Sequence, residues 1–202
     1  MPRIEPLPVR SWPPEMRAAL ASLTPPNPRH PAPVSEGRPK ALNVLGTYAH
    51  HPELAHAFLK FNGHIMRATT LTPRQRELLV LRVSALRDCA YEWSQHVVQA
   101  GDVGLTADEV HRIGLGPDEP GWDPQDAALL RAADELVGDG AIGEKTWGEL
   151  GSTLGTQQLI DLIFTVGAYE TIAYLMRSFA LDLDDDLPAT AIPHAPRRPE
   201  EP

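Results

Sequence analysis

The chain has 202 residues, with 18 Lys and Arg against 27 Asp and Glu for a net charge of −9, 42% hydrophobic residues, 21 Pro and one Cys. Such a length suits one domain with extensions, and the acidic balance, without a basic cluster, offers nothing to nucleic acid or an anionic membrane surface. A lone Cys excludes an internal disulfide, which leaves a cytoplasmic protein acting on a small molecule as the expectation.

Residues 1–40 are a proline-rich extension. MPRIEPLPVRSWPP lacks the apolar core of a signal peptide, 14–23 has weak helical character, and Pro25, Pro26, Pro28, Pro31, Pro33 and Pro39 block helix over 24–39. From there to residue 187 the pattern predicts an all-α domain, since no sustained period-two alternation of the strand kind occurs. Helices are expected at 41–49, 52–68, 73–86, 89–102, 106–114, 124–138, 144–153 and 156–180. Thr72-Pro73-Arg74-Gln75 and Thr106-Ala107-Asp108-Glu109 read as capping boxes, and Asp123-Pro124 as another helix start.

The segment 156–180 is apolar on nearly every side, which predicts a central helix or a subunit interface. Asp161, Glu170 and Arg177 interrupt it, against a membrane span. The tail 188–202, with Pro188, Pro193, Pro196, Pro199 and Pro202, is expected to be disordered.

Chemistry concentrates in CAYEWSQH, residues 89–96. At 100° per residue, Cys89, Glu92, Trp93 and His96 fall at about 0°, −60°, +40° and −20°, on one face. Helix 73–86 precedes this one across a turn at Arg87-Asp88, so the two form an antiparallel hairpin. Glu77 and His96 then stand at nearly equal height, and a carboxylate beside the stripe of Leu78, Leu81 and Val83 needs a partner. A Glu-His pair with a thiol or second carboxylate is the equipment of general acid/base chemistry, with Trp93 and Tyr91 as candidate substrate-binding residues. Ordinary surface ion pairing and core packing are the plain alternatives. Glu77, Glu92 and His96 form an incomplete metal set, and no H-E-x-x-H, phosphate loop or G-x-S-x-G occurs, so neither metal nor cofactor is expected.

LTPRQRELLVLRVSALRDCAYEWSQHVVQAGDVGLTADEV, with the later QQLIDLIFTVGAYETIAYLMRSFALDLDDDLP, resembles the carboxymuconolactone decarboxylase-like superfamily, which includes the alkylhydroperoxidase D peroxidases. The resemblance covers about residues 40 to 187. It implies a helical bundle assembled as a trimer, dimer or hexamer, with its site on the hairpin near a subunit boundary. By position it implies a proton-relay role for Glu77, the first motif cysteine for Cys89 and the motif histidine for His96. Peroxidase members read Cys-x-x-Cys-x-x-x-His, and here Glu92 stands where their peroxidatic sulfur would be. Without that sulfur Cys89 has no resolving partner in the chain, and a neighbouring carboxylate disfavours its thiolate. Three functions follow: a cofactor-free acid/base lyase or isomerase on a small acid or carbonyl compound, a single-Cys thiol-dependent peroxidase, and a non-catalytic oligomeric binding protein.

Overall fold

Thr72, Thr106 and Asp123 each start a helix in the computed structural model, which describes residues 1–194. Thr72 Oγ1 accepts from Gln75 N while Gln75 Oε1 accepts from Thr72 N, and Thr106 and Glu109 repeat the exchange. These reciprocal bonds satisfy backbone donors that a helix start leaves open. Among the described residues the chain is all helical: α1 Met16–Ala21, α2 Leu42–Tyr48, α3 Pro52–Arg67, α4 Pro73–Leu86, α5 Ala90–Ala100, α6 Ala107–Leu115, α7 Pro124–Asp139, α8 Glu144–Gly151 and α9 Thr156–Phe179, with 3-10 turns at Val9–Ser11 and Gly101–Val103.

The central helix is α4, not the more apolar 156–180 segment. Every residue from Gln75 to Ala85 is buried, and α4 packs against α5, α6, α7 and α9. Sequence hid this because α4 carries charges, each of which is partnered inside. Arg82 donates to Asp134 and to the carbonyls of Ile113 and Gly114, and Arg76 donates to Met66 O at 2.6 Å. Buried charges persist only when paired in this way. Helix α9 is long and apolar enough to cross a membrane, yet one side is buried in the fold and the other leaves Ile160, Ile163, Phe164 and Tyr174 exposed.

The α4–α5 hairpin closes through the left-handed residue Asp88, φ 49°. Asp88 N donates to Ala85 O and Cys89 N to Ser84 O, the paired bonds of a Schellman turn, in which aspartate tolerates positive φ better than most residues. Arg87 at the turn donates to Glu170 of α9 and to Val137 O of α7. The hairpin's orientation is thus fixed from two sides.

Residues before 41 lie on the bundle. Met16 and Ala19 of α1 pack with Ala49, Ala55 and Leu59, and a Cβ at Gly63 would fall 2.6 Å from Leu23 O, so α3 needs glycine there. The disorder expected of 188–202 does not extend to 188–194. Thr190 N donates to Ser94 Oγ, Ile192 joins the main core, and Pro193 lies against Gly114. Proline prevented a helix there without preventing docking. Residues 195–202 lie outside the described residues.

Candidate active site

Glu77 is fully buried, and His96 Nδ1 donates to its Oε1 at 2.6 Å. The hairpin brings them together as the spacing predicts. Arg76 Nη2 stands 3.7 Å from the other oxygen, and the Tyr169 ring meets the imidazole edge-on at 5.1 Å. Holding Nδ1–H on a carboxylate fixes the tautomer, so Nε2 is left with a free lone pair. Among the described residues nothing bonds Nε2, and His96 lines a cavity of about 290 Å³.

Glu92 lines the same cavity one turn before His96. Its Oε2 is 3.1 Å from Ser84 Oγ, whose own hydroxyl lies 2.8 Å from Val80 O. Glu92 Oε2 accepts from Ser84 Oγ. Burial pushes Glu92 well above the usual carboxyl range, the Ser84 bond opposes this, and the charge of Glu77 adds to it. Burial thus favours the neutral form of Glu92 beside the Glu77–His96 pair, an arrangement that can separate a proton donor from a proton acceptor.

The remaining candidates are placed differently. Cys89 is 2% exposed, lies 3.8 Å from Met176 Sδ and lines a separate surface depression. Burial first, then Glu92, pushes its thiol up to about 12. Trp93 does not roof the cavity. Being 100° round the helix from Glu92, it faces a different hollow beside α6 with Val97 and Leu105. Tyr91 lines the cavity, and its hydroxyl donates to Asp184 Oδ2 at 2.5 Å, which commits its proton outside the site.

The cavity is a cleft that stays partly open to solvent. Tyr48 of α2, Asn62 of α3 and Tyr169 of α9 complete its wall, with aliphatic side chains such as Val44 and Ile172 between them. The sequence carried no signal for Tyr48, Asn62 or Tyr169, because each is a single residue in an otherwise unmotivated helix and only folding gathers them. Among the described residues no three His, Cys, Asp or Glu side chains gather as a metal set.

Residues 52–135 match the model of the carboxymuconolactone decarboxylase family. Over those residues the chain is similar to that family. That segment runs from α3 into α7 and contains Glu77, Cys89, Glu92 and His96, whereas Tyr48 and Tyr169 lie outside it. A solved protein of unknown function from Agrobacterium tumefaciens, described as a putative antioxidant defence protein AhpD, superposes with a TM-score of 0.63 at 20% identity, over 68% of this chain and 95% of its own. An AhpD-core, peroxidase-related protein from Ralstonia eutropha JMP134 gives 0.63 at 17%, over 81% and 95%. The debrominase Bmp8 gives 0.72 at 14%, over 91% and 92%, and was also solved as a cysteine-to-alanine variant with 2,3,4-tribromopyrrole. These likenesses are of fold. No curated protein matches the sequence.

Proposed function

We propose that this carboxymuconolactone decarboxylase-like chain is an acid/base enzyme, a lyase or isomerase acting on a small organic molecule with an acidic or carbonyl group. The observation that carries the reading is the 2.6 Å Glu77–His96 bond opening on a cavity that also holds buried Glu92. His96 Nε2 takes a proton from the substrate, and Glu77 steadies the imidazolium that forms. Glu92 gives a proton to the carbanion or enolate that results, whether the step moves a double bond or releases carbon dioxide. One proton is removed and one returned, and no electron leaves the substrate.

Related folds are described as antioxidant, peroxidase-related and debrominase proteins, so fold alone selects no reaction. Residue chemistry does the selecting. A peroxidase reading requires a reachable thiolate, and Cys89 is buried with its thiol pushed up to about 12.

Exchange of carbon-bound protons with deuterated water, followed by NMR over a panel of small carbonyl and hydroxy compounds, tests the proposal. At least one compound should exchange, and His96→Asn and Glu77→Gln should each slow it by a factor of about 10² or more. Cys89→Ser should leave the rate nearly unchanged. Peroxide consumption with a small thiol, lost in Cys89→Ser, would replace this reading with the peroxidase one.

A further inference from the structure

Asn62 sits in the middle of α3 and is 9% exposed, yet it makes almost none of the bonds a carboxamide offers. Oδ1 is buried without a partner among the described residues, and Nδ2 reaches only the Met66 thioether at 3.8 Å. Sulfur is a weak acceptor, so the amide is effectively unsatisfied. Its neighbours in the wall include Phe58, Leu59 and Met66, among which a leucine would pack without penalty. A polar group that weakens the fold where it stands calls for a role outside the fold.

The groups around the same cavity show what that role requires. His96 has its Nδ1–H on Glu77, which leaves Nε2 as an acceptor, and Glu92, whose Oε2 accepts from Ser84 Oγ, leaves Oε1 buried without a partner among the described residues. Asn62 Oδ1 is a third. Lys40, the cation lining the cavity, is exposed at its rim. About 290 Å³ is at the small end of ligand cavities, which run from about 300 Å³ upward.

We infer that Asn62 is a substrate-reading residue, and that the buried end of the cavity takes a small ring compound presenting hydroxyl or N–H donors. Any carboxylate on that compound belongs at the rim beside Lys40, because the interior would set it against acceptor oxygens. The inference rests on the proposed function only for the location of the site. Ring hydroxyls of this kind are also the protons that His96 Nε2 is placed to accept.

Titration of the full chain with phenol and with toluene, followed by NMR, separates the possibilities without any turnover. Phenol should bind at least tenfold more tightly than toluene. Asn62→Leu should bring the two to equal affinity while raising Tm, since it removes an unpaired buried amide. Asn62→Ala should likewise lose the discrimination and serves if the leucine variant does not fold. Equal binding of phenol and toluene by the unaltered protein overturns the inference, as does binding of neither. A variant that keeps the discrimination and loses stability shows Asn62 to be structural. None of these results touches the deuterium-exchange test of acid/base chemistry.

Discussion

Tyr91 donates its hydroxyl to Asp184 Oδ2 at 2.5 Å across 93 residues of sequence, and the other oxygen of Asp184 accepts from Asn43 N at 2.7 Å. Asn43 is in the first turn of α2, whose own N-cap, Ala41, has no side chain with which to cap it. Asp184 therefore caps α2 from the far end of the chain and ties it to α5. Because α2 carries Tyr48 over the cavity, this clasp sets how firmly the cavity is closed. Asp184→Ala should cost about 2–3 kcal/mol, the sum expected of a lost cap and a lost charged hydrogen bond. Hydrogen exchange should rise in residues 42–48 before the rest of the bundle. Unchanged protection there would mean that α2 is held by packing alone.

Glu92 gives the protein a pH signature. With its folded pKa held above the unfolded value of about 4.3, it contributes stability that is fully present below that value and lost as pH rises through the folded one. Glu92→Gln keeps the shape and can still accept from Ser84, but does not titrate. The difference in Tm between the two proteins should stay constant below about pH 4 and move in favour of the variant as pH rises. A difference independent of pH would show that Glu92 titrates alike in the folded and unfolded chain.

Cys89 should behave as a core residue. At pH 8 the native protein should resist a thiol reagent, and urea unfolding should release one reactive thiol per chain, because burial holds the thiol up to about 12. Rapid labelling of the native protein would require an opening of the Met176 contact that the packing does not suggest.

The exposed side of α9 predicts self-association. Ile160, Ile163, Phe164 and Tyr174 form an apolar face, extended by Phe61 edge-on to Phe164 at 5.9 Å. Light scattering should give a dimer, trimer or hexamer of the 22.1 kDa chain, and Phe164→Glu should shift it toward monomer. A stable monomer of the unaltered chain would end the idea.

Local rules carried most of the helical map. Thr72, Thr106 and Asp123 mark helix starts by chemistry confined to four residues, and helix periodicity with a two-residue turn at Arg87-Asp88 was enough to set Glu77 opposite His96. Pairings between distant segments were not legible. Burial of α4 depends on Asp134 and the carbonyls of Ile113 and Gly114 reaching Arg82, which no window of sequence contains. Trp93 looked like a neighbour of Glu92 on a helical wheel, but a wide face can serve two cavities, and only the placement of α2 and α6 decides which residue meets which. The upward push on Glu92 likewise follows from complete burial and the nearby charge of Glu77, and the cavity from Tyr48, Asn62 and Tyr169 arriving on three separate helices. Sequence by itself determined which side chains are available within each hairpin; tertiary packing decided their solvent exposure and partners, and with those their chemistry.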